Sequence, residues 1–256
     1  PIVALPPFTP LLDFSANASH WLLATWDNYR FLTEDNLYWV SYFKSIKIAA
    51  ISTFICLLIG YPMAYGIARA TPTTRNILLM LVILPFWTSF LLRVYAWMGL
   101  LGKNGIVNSL LMNIGLIDTP LQMLYTDMAV YVGIVYTYIP FMILPLYATL
   151  EKMDTSLHDA AADLGAKPWQ TFIDVTLPLS MPGIIAGSLL VFIPAIGEYV
   201  IPALLGGIDS LMIGRTLYDE FFVNRDWPLA SAVATILLII VVIPIMLFQR
   251  SQQEQE

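Results

Sequence analysis

Residues 46–68, IKIAAISTFICLLIGYPMAYGIA, carry one charge, Lys47, in 23 positions. A bilayer's hydrocarbon core is crossed by about 20 predominantly apolar residues in helical form. Backbone groups in lipid must find their hydrogen bonds inside the segment, so this block predicts a spanning helix. The same reading applies to four further blocks, at about 77–101, 128–150, 182–205 and 229–248. None shows the polar–apolar alternation of a membrane barrel. Pro62, Pro85, Pro140, Pro145, Pro194 and Pro244 fall inside these blocks. They would break a soluble helix, but are tolerated as kinks facing a protein interior. The expectation is an all-α membrane protein with five transmembrane helices.

Composition agrees. Of 256 residues, 58% are hydrophobic and 12% charged, with a mean hydropathy of +0.74. An ordinary soluble domain has about twice that charge. A formal net charge of -6 argues against nucleic acid as a partner. Cys56 has no second cysteine, which excludes a disulfide scaffold. His20 and His158 are far apart without a supporting cluster, so no metal site is expected. No phosphate-binding loop is present either: Gly102-Lys103 continues with Asn104, and Trp97 stands where the first glycine would fall. Ser188 has Ala186 in place of the glycine that a hydrolase nucleophile turn requires. Any dependence on ATP therefore resides in another subunit.

The blocks divide the chain into an outer N-terminal segment (1–45), a transmembrane region (46–248) containing a polar segment (151–180), and a tail (249–256). Ten aromatic residues within 1–43, among them Trp21, Trp26, Trp39 and Tyr42, mark the first segment as interfacial. With the C-terminus inside, Arg69, Arg75, Lys152, Lys167 and Arg250 face the cytoplasm, and Arg30, Lys44, Lys47, Lys103, Arg215 and Arg225 face out. The positive-inside rule decides nothing from that split. Asp13, Asp27, Glu34, Asp35, Asp118, Asp127, Asp209, Asp219, Glu220 and Asp226 would lie outside. They would either attract a cation or serve as solvated loop charges.

Residues 151–178 read as helix, turn, helix. Asp154 or Thr155 can cap a helix running through Leu157, Asp159, Ala160, Ala161 and Leu164. Gly165 supplies the left-handed position after it, and Pro168 opens the next helix. The small alanine side chains allow close entry into a partner's groove. The alternative is a connecting hairpin resting on the membrane surface.

Asp159-Ala160-Ala161, Gly165 and Val175-x-Leu177-Pro178 resemble the cytoplasmic motif of ABC importer permeases, with Asp for Glu and Val for Ile. Further stretches resemble the permease subunit of bacterial polyamine (putrescine or spermidine) importers. These are Gly60-Tyr61-Pro62, Leu84-Pro85-x-Trp87-Thr88-Ser89-Phe90, Arg93-Val94-Tyr95-Ala96-Trp97 and Gly197-Glu198-Tyr199-Val200-Ile201-Pro202. The resemblance implies a type I ABC importer permease fold in the bacterial inner membrane. It implies a second permease, two ATPase subunits that carry the ATP and magnesium, a periplasmic binding protein and a polyamine substrate as partners. Such permeases usually have six spans, so the resemblance also implies a first helix preceding Pro1. Another solute, or a membrane scaffold or enzyme without transport, remains the alternative.

Two charges fall at membrane depth, where they usually face a cavity or a partner. Glu198, beside Tyr199, is a candidate for holding an alkylammonium by charge and ring contact. Arg93 is a helix-pairing candidate, and an Arg93–Glu198 ion pair is the purely structural alternative. Trp87, Tyr95 and Trp97 are candidate pathway residues, set against ordinary packing roles.

Overall fold

The computed structural model describes residues 28–154, 156–207 and 210–253. All regular structure among them is helical. After a short helix α1 over residues 28–34, α2 (Asn36–Arg69) begins where the Asp35 side chain accepts the Leu37 N–H at 2.8 Å. That acceptor satisfies one of the donors a helix start leaves unpaired. The helix starts ten residues before the apolar block, within the N-terminal segment 1–45. It ends ahead of Pro72, because the residue before a proline is driven to extended geometry, and Thr71 has ψ 152°.

The second apolar block does not form one helix. α3 (Pro72–Ile83) tightens into a 3₁₀ turn (Leu84–Trp87), and the chain then turns by 92° into α4 (Phe90–Leu101) and α5 (Ile106–Asn113). Pro85 cannot donate to the ladder. The Thr88 N–H and hydroxyl both bond the Pro85 carbonyl, at 3.2 and 2.7 Å, and Thr88 leaves the helix with ψ 150°. A hydropathy window sees apolar residues on both sides and misses that turn.

α6 (Asp127–Glu151) matches the third block and carries Pro140 and Pro145 within the helix. It is followed by α7 (Ser156–Asp163), then α8 (Pro168–Thr171), a π-helical turn (Phe172–Thr176) and α9 (Leu177–Leu179). The fourth block is also broken. α10 (Met181–Ile196) lies at 63° to the preceding 168–179 helix and stops at Gly197, and α11 (Val200–Leu205) resumes beyond it. α12 (Ile213–Tyr218) runs into a second π-helical turn (Asp219–Val223), and α13 (Trp227–Gln253) closes the chain.

α2 and α6 are each long and apolar enough to cross a membrane, and each bent pair qualifies if counted as one span. α13, 27 residues long, carries the fifth apolar block. The five apolar blocks are therefore two unbroken helices, two broken ones and α13.

α2, α6 and α10 form the packed centre. Lipid tails are as apolar as leucine, so helix association inside a membrane rests on close van der Waals contact between small residues. Gly183 and Gly187, one turn apart on α10, supply it. A Cβ at Gly183 would sit 2.7 Å from Thr149 Oγ1 and 3.0 Å from the Pro145 carbonyl oxygen, and one at Gly187 would sit 2.9 Å from Met142 Sδ. Met142, Ile143, Leu146 and Val191 are fully buried at this crossing.

Candidate functional site

Glu198 lies in the gap between α10 and α11 and is 8% exposed. Its Oε1 accepts the N–H groups of Val200 at 3.1 Å and Ile201 at 3.4 Å, the unpaired donors at the start of α11. Its Oε2 accepts the Tyr138 hydroxyl of α6 at 2.5 Å. A carboxylate has about four acceptor positions, so three donors leave room for one further cationic donor.

Arg93 does not pair with Glu198. Its guanidinium lies over the rings of Phe86 at 5.6 Å and Phe90 at 5.8 Å, and its Nε is buried without a hydrogen-bond partner. Phe86 meets Phe141 edge-on at 5.3 Å, and Phe141 lies 6.1 Å from Tyr138. The two charges are thus joined by three rings and touch nowhere.

The aromatic candidates divide. Tyr199 stacks on Tyr218 at 4.0 Å with planes 13° apart, and Tyr218 continues to Phe222 at 4.7 Å. Trp97 is half-buried, edge-on to Tyr136 at 5.4 Å. Trp87 is 81% exposed and Tyr95 is exposed, both flanking the 92° turn. Tyr138 and Tyr218, 60 and about 20 residues from Glu198, carry no sequence signal that separates them from packing tyrosines.

Several of the carboxylates expected outside are engaged by neighbouring side chains or helix starts. Glu34 pairs with Arg30 at 2.9 Å, and Asp127 accepts the Ser210 hydroxyl and lies 3.5 Å from Lys44 Nζ. Buried Glu220 accepts Tyr38 and Asn224, each at 2.9 Å, and Asp226 caps α13 through the Leu229 N–H. Asp13, Asp27, Asp209, Trp21 and Trp26 lie outside the described residues.

The 151–180 segment folds as helix, turn, helix. The Asp154 side chain accepts the Ser156 N–H at 2.9 Å, which holds this carboxyl below its ordinary range, while Thr155 lies outside the described residues. At the far end Gly165 has φ +83°. The Ala166 N–H reaches the Ala161 carbonyl at 3.0 Å, and the Gly165 N–H reaches Ala162 at 2.9 Å. This is the paired closure that a left-handed residue after a helix makes possible. Lys167 starts the next helix with its N–H donated to Gln170 Oε1 at 2.8 Å, ahead of Pro168.

α7 buries none of its residues. Leu157, Asp159 and Ala160 are exposed, Ala161 is half-buried, and Leu164 is 90% exposed. Ala162, also exposed, lines an open cavity of about 240 Å³ together with Tyr65, His158, Thr171 and Phe172. His158 joins α7 to the transmembrane helices. Arg69 Nη2 at the end of α2 lies 3.0 Å from its Nε2, and Thr176 Oγ1 lies 3.0 Å from the same nitrogen. Among the described residues no cluster of three or more His, Cys, Asp or Glu is placed to hold a metal.

Comparison with known proteins places these features in context. Residues 56–253 match the family described as "Binding-protein-dependent transport system inner membrane component". The spermidine/putrescine transport system permease protein PotB of Haemophilus influenzae is 45% identical over 210 residues, covering 82% of this chain and 73% of that protein. PotB of Escherichia coli is 41% identical over 232 residues, covering 91% and 84%. The solved structure of a bacterial ABC transporter that imports the acidic polysaccharide alginate superposes with a TM-score of 0.62 at 20% identity, over 88% of this chain and 83% of that one, a likeness of fold.

Proposed function

Because the chain belongs to the family of binding-protein-dependent transport system inner membrane components, we propose that it is one of two permease subunits of an ATP-driven importer of putrescine or spermidine. It is a multi-pass protein of the inner membrane, and its work is transport, not bond chemistry. The observation that carries the polyamine reading is the identity to the two PotB proteins, which extends over most of both chains.

In this reading α2, the α3–α4 pair, α6, α10 and α13 make five crossings, with the 151–180 segment in the cytoplasm and α12 outside. A periplasmic binding protein delivers the substrate, and two ATPase subunits bind the ATP and magnesium. The exposed side of α7, with Leu157, Asp159, Ala160, Ala161 and Leu164, enters a groove on one ATPase, and Gly165 turns the chain back toward the membrane. Closure of the ATPases then moves α7, and the His158 contacts pass that motion to α2 and the 168–179 helix. Glu198 offers its remaining acceptor position to an ammonium group, with Tyr199, Trp87, Tyr95 and Trp97 along the route. Ring faces favour a desolvated cation by about 0.5–2 kcal/mol.

Reconstitution with its ATPases, second permease and binding protein tests the reading. Labelled putrescine or spermidine should accumulate in an ATP-dependent manner. A complex that imports an oxyanion or a sugar and leaves both polyamines outside would overturn the substrate assignment.

A further inference from the structure

Arg93 has no counter-charge among the described residues of its own chain. Their ion pairs join Arg30 to Glu34, Lys44 to Asp127 and Arg75 to Glu151. Glu198, the other charge at membrane depth, is held by Tyr138 and the start of α11 and makes no contact with Arg93. A guanidinium stays charged at any physiological pH, so it cannot escape burial by losing its proton. Two ring faces offset part of the desolvation, but an Nε sealed from solvent without an acceptor remains.

The surface around it narrows the choice of partner. Trp87, Leu91, Leu92 and Tyr95 are 81%, 49%, 67% and 54% exposed, an apolar rim beside a half-buried cation. Hydrocarbon tails could cover the rim but would leave the charge bare. An arginine that serves lipid headgroups extends its stem along the surface and keeps its tip in water. Here the stem end is closed off, and the guanidinium lies against Phe86 and Phe90 at the turn between α3 and α4. With Nε covered by this chain, Nη1 and Nη2 are the donors left to a planar acceptor brought in by a packed protein surface, and a carboxylate can meet them end-on with two parallel bonds.

We propose that Arg93 forms an ion pair with an Asp or Glu side chain of the second permease, fixing the two subunits against each other at the α3–α4 bend. The proposal rests on the reading above that this chain works beside a second permease. It replaces the internal Arg93–Glu198 pair with one between subunits.

The test uses the assembled transporter. A photoreactive benzoylphenylalanine at Leu92, with Arg93 intact, should crosslink to the second permease, in a peptide containing an acidic residue. Arg93→Glu, or conversion of that acid to Arg, should each lower uptake about tenfold or more, and the two together should recover it to within about threefold. Adducts confined to phospholipid or to this chain, no adduct at all, or a charge swap without recovery would each overturn the proposal. The readout is uptake of whichever solute the wild-type complex carries, so a wrong substrate assignment leaves the test intact. A wild-type complex that purifies without any second permease would sink the earlier reading. One that contains a second permease free of adduct would sink only this pair.

Discussion

Tyr138 on α6 holds Glu198 at the head of α11: its hydroxyl lies 2.5 Å from Oε2, while Oε1 faces the N–H groups of Val200 and Ile201. One carboxylate thus ties a central helix to a broken one, and a substrate cation bound as proposed would share it with them. The two uses are separable by mutation. Glu198→Gln keeps an amide oxygen for the Val200 N–H and removes the charge. It should assemble normally and lose most polyamine uptake. Tyr138→Phe should cost about 1.5–3 kcal/mol, the range for a bond to a charged group, and reduce uptake severalfold. Full uptake by Glu198→Gln in proteoliposomes would leave the carboxylate with its structural role alone.

Gly165 sits at φ +83° with open space where a Cβ would stand. Strain is therefore conformational and not steric. Gly165→Val should cost about 1–2 kcal/mol and misdirect the 168–179 helix. Gly165→Asn should be milder, because asparagine tolerates the left-handed region. We expect the Val variant to insert into the membrane and to lose uptake, as read by membrane fractionation and transport in the same cells.

Leu164, the first residue after α7, is 90% exposed, and Ala161 on the helix is half-buried. In the proposed reading this apolar side chain docks against an ATPase subunit. Leu164→Asp and Ala161→Glu should each release the ATPase subunits from purified complexes. A hairpin lying on the membrane surface predicts near-silence for Ala161→Glu, so normal ATPase retention and stimulated hydrolysis in that variant would count against docking.

His158 ties α7 to Arg69 and to Thr176, each at 3.0 Å. His158→Ala should leave the ATPases bound but lower solute transported per ATP hydrolysed severalfold, and His158→Gln should recover part of it. An unchanged ratio of transport to hydrolysis in the Ala variant would show that the contact carries no motion.

Gly183 packs against Thr149 and the Pro145 carbonyl, so a side chain there meets backbone that cannot move aside. Gly183→Val should destabilise the α6–α10 crossing by about 1–3 kcal/mol, the usual cost of overpacking, and lower the unfolding temperature in detergent. An exposed control, Gly99→Val, has open space around its Cβ position and should change it far less.

Sequence by itself determined what depends on neighbours along the chain. Span-length apolar blocks declare membrane helices because the bilayer acts on each segment separately. The 151–178 hairpin was legible for the same reason: its cap, alanines, Gly165 and Pro168 act within a few residues of one another, and the observed turn follows them. Composition likewise removed soluble, disulfide-bonded and nucleic-acid-binding classes. Tertiary structure decided the rest. The turns at Thr88 and Gly197 interrupt apolar runs that hydropathy reads as continuous, because a few backbone angles leave hydrophobicity unchanged. The partner of Glu198 comes from Tyr138, 60 residues earlier, and the separation of Glu198 from Arg93 depends on how α6 lies between them. A charge at membrane depth announces that it needs a partner. Which side chain answers is set by helix packing, where contacts between distant residues leave no local trace.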